Sequence, residues 1–293
     1  DVTNFIEYLL GGLGSGAIIA LMALALVLTW RATRVVNFAQ VGQAMFTTFI
    51  ALSIQTLTGS WYVALIGAMI AGAILGVVVQ YLVLRPVTRM DTSGAIIATF
   101  GVLIALQAGA GMIWGGDQQA YPQPFNSAGI SAFGREWPIS VYDLVVIGVT
   151  LALVVGLSLV FTRTNLGLSM RATAFNPEVA RLSGVRVSRT LTIGWAIAGI
   201  VGAVAGVLVA PISTLSPNSF DILLVFAFTA AVIGGLDSLV GAVALGVGTG
   251  LVISLVTGYS DSSNAPVVAL VLLALNLLLK PDGVFGHTSS RSV

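Results

Sequence analysis

The sequence predicts an all-α, polytopic membrane bundle, and three observations carry that prediction. Of 293 residues, 57% are hydrophobic and only 8% are charged, whereas a soluble domain is about 25% charged. The apolar residues gather in long runs at 5–30, 36–57, 61–84, 94–114, 141–162, 190–210, 222–235, 239–258 and 265–280, and a spanning helix needs about 20 such residues. None of the runs shows the alternation of a barrel strand of about 9–11 residues. A bilayer offers no water to open backbone groups, so only helices or closed barrels can cross it. The runs are therefore helices, eight full spans and one short one, or about eight or nine crossings.

Orientation follows from the basic residues, which collect on the cytoplasmic side. Arg31 and Arg34 follow the first run, Arg85 and Arg89 the third, and Lys280 the last. The stretch 163–189 holds five of the twelve Lys and Arg residues against a single acid, Glu178. On the other side, Asp1 and Glu7 open the chain, and Arg135 is outweighed by Asp117, Glu136 and Asp143. The N-terminus is thus expected outside and the C-terminus inside. Residues 1–293 read as a single transmembrane domain with an external loop at about 115–140 and a cytoplasmic loop at about 163–189. Glycine pairs four apart, Gly12/Gly16, Gly72/Gly76, Gly202/Gly206 and Gly246/Gly250, are expected to pack helices closely within the chain, since lipid supplies no hydrophobic drive for association.

Composition also narrows the chemistry. Cysteine is absent and the one histidine, His287, sits in the polar tail, so a metal site has little to build on. Lys280 is the only lysine and no Gly-x-x-x-x-Gly-Lys loop exists, so the chain is not its own P-loop ATPase. A net charge of +1 does not point to nucleic acid. Neither catalysis nor a cofactor bound by this chain is expected.

Three features rise above this background. On the second run, Asn37, Gln40, Thr47, Thr48 and Gln55 fall within roughly a third of a helix circumference at about 100° per residue. Such a stripe either lines a solute path or bonds one helix to another, because polar groups are not left bare to lipid. The run from Ile222 to Ile233, with Thr229 inside it, is too short for a core of about 30 Å and meets Gly234-Gly235-Leu236-Asp237-Ser238. It is either a broken helix of the kind transporters use at their sites, with Thr229 and Ser238 as pathway candidates, or an ordinary helix extended to Leu236. Between Arg163 and Arg189, Asn176 is suited to an N-cap, Pro177 to the first helical position and Gly184 to the C-terminal stop. The intervening residues put Val179 and Leu182 on one face, a short amphipathic helix on which a cytosolic partner could push.

At these residues the chain resembles the permease subunits of bacterial branched-chain amino acid ABC transporters, a family that also serves urea and short amides. The likeness runs through Val36-Asn37-Phe38-Ala39-Gln40, Arg85-Pro86-Val87, Ala98-Thr99-Phe100-Gly101 and, most strongly, Gly167 to Ala172 and Asn176 to Val185. It continues in Ala198 to Gly202 and Ala230 to Ser238. The resemblance implies a subunit of the bacterial cytoplasmic membrane that pairs with an identical or sister permease. Two cytosolic ATPase subunits, carrying ATP and Mg, would drive it, and an external solute-binding protein would feed it. Arg171, Asn176, Pro177, Glu178, Val179, Arg181, Leu182 and Gly184 would then form the element that docks on the ATPase. The chain departs from the family pattern at Val41-Gly42-Gln43 and at Val240, which leaves the solute open. An ion-coupled transporter or a passive channel is the alternative, and the first of these calls for a carboxylate inside the membrane.

Overall fold

The computed structural model describes residues 2–87, 92–125, 129–132 and 135–286; Asp1, Arg89 and His287 lie outside them. In chain order the elements are α1 (Val2–Thr33), α2 (Gln40–Thr58), α3 (Trp61–Val78) continued by a π-helical segment (Val79–Leu84), a one-turn α4 (Arg85–Val87), α5 (Thr92–Trp114), β1 (Gln119–Ala120), β2 (Gly129–Ala132), β3 (Arg135–Ser140), α6 (Val141–Arg163), α7 (Asn165–Phe175), α8 (Pro177–Leu182), α9 (Val187–Val209), β4 (Thr214–Leu215), α10 (Asp221–Gly234), α11 (Leu239–Tyr259) and α12 (Ala265–Leu279). The membrane bundle expected from composition is therefore present. Short strands lie within the stretch read as a loop at 115–140: β1 pairs antiparallel with β4, and β2 with β3.

Among the described residues, seven helices are long and apolar enough to cross a bilayer: Thr3–Thr33, Trp61–Leu84, Ser93–Trp114, Val141–Arg163, Val187–Ile212, Leu239–Tyr259 and Ser262–Leu279. Two of the expected runs fall short of that standard. Helix α10 has 14 residues, about 21 Å at 1.5 Å per residue, and α2 is too rich in Gln and Thr. Contacts explain how α2 tolerates its polarity. The helix is packed by α3, α5 and α9, and Gln40–Met45 is buried along its whole length, so its side chains meet other helices in place of lipid.

The chain divides into two compact units, one of Leu28–Pro124 with Val155–Leu224 and one of Asp1–Val27, Phe125–Val154 and Val225–Val293. In the first, glycine faces bring the helices together. A methyl group at Gly72 would meet the backbone of Gly199, one at Gly76 the backbone of Trp195, and one at Gly206 the Thr48 hydroxyl and the Ala44 carbonyl. Trp114 of α5 closes the opposite side of α2, stacking on Phe49 at 5.1 Å and donating from Nε1 to Ser53 Oγ at 2.8 Å.

In the second unit, Gly12 and Gly16 of α1 pack against α11 at Leu251, Ser254 and Val247, and Gly246 and Gly250 pack back on Ala20 and Gly16. The expected intramolecular role of the four glycine pairs is what is found. Helix α6 opens with a reciprocal cap: Ser140 donates from N and Oγ to Asp143 Oδ2, each at 2.8 Å, and Asp143 N donates to Ser140 Oγ at 3.1 Å.

Helix α10 does not reach Leu236. It stops at Gly234, where Gly235 turns left-handed at φ 91°. The last carbonyls of a helix lack partners inside it, and here the segment after α12 supplies two: Val284 N donates to Ile233 O at 2.7 Å and Phe285 N to Gly234 O at 3.3 Å. Gly283 and Gly286 pass so close to Gly235 and Asp282 that a side chain on either would strike backbone.

Candidate functional site

The loop between Arg163 and Arg189 is built as its residues dictate. Thr164 caps α7, accepting from Gly167 N at 3.4 Å. Asn176 then breaks the helix by turning extended, at φ −155° and ψ 107°, and starts the next one. Its Oδ1 accepts from Glu178 N at 2.9 Å and Val179 N at 3.1 Å, and Pro177 takes the first turn, where no N–H is needed. At the other end Gly184 is left-handed at φ 85°. Gly184 N donates to Arg181 O at 3.0 Å and Val185 N to Ala180 O at 2.9 Å, the paired bonds of a Schellman stop.

Between these caps only Ala180 is buried, packing α8 onto its own loop. Val179 is 55% exposed, Leu182 89% and Phe175, at the end of α7, 93%. Arg171, Glu178 and Arg181 are exposed as well. Large apolar side chains are thus left uncovered by the rest of the chain on this loop. Replacing Asn176 by Ala removes the acceptor of two amides and is expected to cost α8 about 1 kcal/mol. Amide hydrogen exchange at Glu178 and Val179 should accelerate accordingly; unchanged exchange would show that the loop, and not the cap, holds the helix.

The polar stripe read on the second run is engaged within the chain, with one correction: α2 begins at Gln40, so Asn37 lies in the connection before the helix and not on its face. Asn37 and Gln40 are fully buried. Asn37 Oδ1 accepts from Ala39 N at 3.1 Å, Asn37 Nδ2 donates to Gln40 Oε1 at 3.1 Å, and Gln40 Nε2 donates to Ala198 O of α9 at 3.0 Å. Gly202 makes that last bond possible, since a Cβ there would occupy the position of the Gln40 amide and shield the carbonyl one turn earlier. Thr99 of α5 accepts from Phe38 N at 3.4 Å. Thr47 and Thr48 donate back to α2 carbonyls, Gln43 and Ala44 for the former and Ala44 for the latter, at 2.7–2.9 Å.

Gln55 is half-buried with Oε1 unpaired. In the other unit, Thr229 donates to Ala269 O at 3.5 Å and Ser238 caps α11 by accepting from Gly241 N at 2.9 Å. A Gln40→Leu exchange leaves the buried Asn37 NH2 without an acceptor and removes the side-chain bond from α2 to Ala198 O. It should lower stability by about 1–2 kcal/mol, read as a shift in the denaturant midpoint of the purified protein; a midpoint equal to wild type would show that the Asn37–Gln40–Ala198 bonds do not hold α2 to α9.

Residues 8–279 match the family described as branched-chain amino acid transport system / permease component. The chain belongs to that family. It is 31% identical over 286 residues to the probable branched-chain amino acid transport permease protein LivH of Methanocaldococcus jannaschii, covering 92% of this chain and 89% of that one. It is 27% identical over 301 residues to the high-affinity branched-chain amino acid transport system permease protein LivH of Salmonella typhimurium, covering 99% and 98%. Among solved structures, PsaBC from Streptococcus pneumoniae in complex with Fab superposes with a TM-score of 0.53 at 15% identity, over 96% of this chain and 97% of that one, a likeness of fold. The protein is thus a multi-pass membrane permease.

Several groups of this permease were not legible from residue type alone. Gln43 lies on α2 beside the stripe, is 2% exposed, and leaves both its amide oxygen and nitrogen unpaired; its own amide chemistry within a buried run was the available signal. Tyr121, next to β1, is 4% exposed with an unpaired hydroxyl, and burial pushes its phenol up to about 12. Phe175 adds to the exposed apolar side chains of this loop, an aromatic residue directly before the Asn-Pro cap. Gln107 of α5 donates to Asp221 Oδ1 at 2.8 Å, a pairing with no local sequence signature.

Proposed function

We propose that this permease is the membrane-spanning subunit of an ATP-binding-cassette importer of the cytoplasmic membrane, with branched-chain amino acids as its solutes. It works beside a second permease subunit, identical or sister. An external binding protein delivers the solute, and two cytosolic ATPase subunits, which hold the ATP and Mg, press on α8. The observation that carries this reading is α8 itself: a helix of six residues, capped at both ends, whose Val179 and Leu182 are turned away from the chain. The family membership and the names of the relatives support the solute class.

In this reading Asn37, Gln40, Thr47, Thr48 and Gln55 are the pathway residues of the first unit and Thr229 and Ser238 those of the second, and Gln43 is the group with hydrogen-bonding capacity to spare. Ion coupling draws no support from the acids, since among the described residues the spans carry them only near helix ends, at Glu7, Asp143 and Asp221. The test is reconstitution of the permease with its ATPase in vesicles. Leucine uptake should require ATP and the binding protein, and uptake that persists without the ATPase would sink the proposal.

A further inference from the structure

At the cytoplasmic end of the first unit a cavity of about 160 Å³ opens between Thr33, the π-helical segment after α3, α8 and the start of α9. Its polar wall is Thr33, Gln80, Arg85, Arg181 and Ser188, and Leu84, Val187 and Leu191 close the remainder. Three features give this space one electrostatic sign. Among the described residues neither Arg85 nor Arg181 has a carboxylate partner within ion-pair distance, Arg85 resting over the Tyr81 ring at 5.0 Å. Gln80 is 3% exposed, and its Oε1 accepts from Thr192 Oγ1 at 2.9 Å, which leaves its NH2 as an unused donor. Helix α9 has 23 residues and its N-cap, Arg186, makes no side-chain bond to the first turn, so the positive end of the helix is uncompensated beside Ser188.

From this convergence we propose that the cavity binds a phosphate group at the cytoplasmic membrane surface, that of an anionic phospholipid headgroup or a free phosphate ion. Two guanidiniums, the Gln80 NH2 and the Ser188 hydroxyl donate to its oxygens, the Thr33 hydroxyl being already given to Thr29 O, and no carboxylate stands on the wall. The volume is below the ~300–1,000 Å³ of drug-sized pockets, which suits a phosphate and excludes a nucleotide. Basic pockets between helices at this leaflet meet a surface rich in anionic lipid. Occupancy ties Arg181 of α8 to α9 and to the end of α3, so the bound anion sets the position of the helix on which the ATPase is proposed to dock. A six-residue π-helical segment supports this reading, since such irregularities gather at functional positions and here one supplies Gln80 and Leu84 to the wall.

The experiment uses the full-length permease in detergent, with phosphatidylglycerol, phosphatidylcholine and inorganic phosphate as separate probes, read by native mass spectrometry and by thermal unfolding. Phosphatidylglycerol is expected to bind in preference to phosphatidylcholine, with about a fivefold loss of affinity for each of R85Q and R181Q and no loss in R186Q, which lies outside the cavity. If inorganic phosphate raises the melting temperature of the wild type but not of R85Q/R181Q, and phosphatidylglycerol adds nothing, the ion is the occupant. Where the double variant fails to fold, the single variants decide. Binding of both probes by R85Q and R181Q at wild-type affinity would overturn the proposal.

Discussion

Replacing Gly199 by Leu is expected to abolish accumulation of folded permease in the membrane. Gly199 and Gly72 face one another so closely that a Cβ on either would meet the other's carbonyl group. The obstacle is backbone, which has no rotamer to change, so α3 and α9 must separate along the seam that also includes Gly76 and Trp195. Overpacking of a side-chain core commonly costs about 1–3 kcal/mol; separating two helices loses their dispersion contacts as well, within a total stability of about 5–15 kcal/mol. Separation would also carry the Ala198 carbonyl away from Gln40, so a polar bond is lost with the packing. Gly101→Leu is the control, since nothing lies within 4 Å of a Cβ built there, and it should fold. Membrane yield and a detergent unfolding midpoint measure the effect, and a Gly199→Leu protein with the wild-type midpoint would refute the description of this seam.

The second large effect belongs to α8. The double exchange Val179→Asp and Leu182→Asp is expected to release the ATPase and reduce ATP-driven uptake by at least about thirtyfold, the equivalent of one interface hot spot of about 2 kcal/mol. Both residues are exposed, at 55% and 89%, and substitutions at such positions change fold stability by about 0.5 kcal/mol or less. The permease should therefore keep its melting temperature while losing its partner. This separation distinguishes docking from folding, because a variant that lost both would point to a structural role for α8. Co-purification of a coexpressed ATPase with wild-type and variant permease gives the readout, and retention of the ATPase by the double variant would displace the docking site from this helix.

What could be read in the chain depended on how local the physics is. The long apolar runs and the placement of Arg31, Arg34 and the basic stretch 163–189 report transfer costs residue by residue, so helical class and orientation were legible. The caps of α8 were legible for the same reason: Asn176, Pro177 and Gly184 act on amides and carbonyls within a few positions. The partner of the α2 stripe was not. Helical periodicity says that Asn37, Gln40, Thr47 and Thr48 share a face, but not which helix faces them, and the answer is the bare side of α9 at Gly202 and Gly206.

The sequence by itself therefore determined a helical membrane permease and the short helix α8 with both its caps, consequences of solvation and short-range hydrogen bonding. Only the tertiary structure decided that Gln40 bonds Ala198, that Val284 and Phe285 close the end of α10, and that Arg85 meets Arg181 across one cavity. Each of those joins residues scores of positions apart or more, and it depends on how closely helices approach, a distance set by the glycines of both partners together and by neither alone.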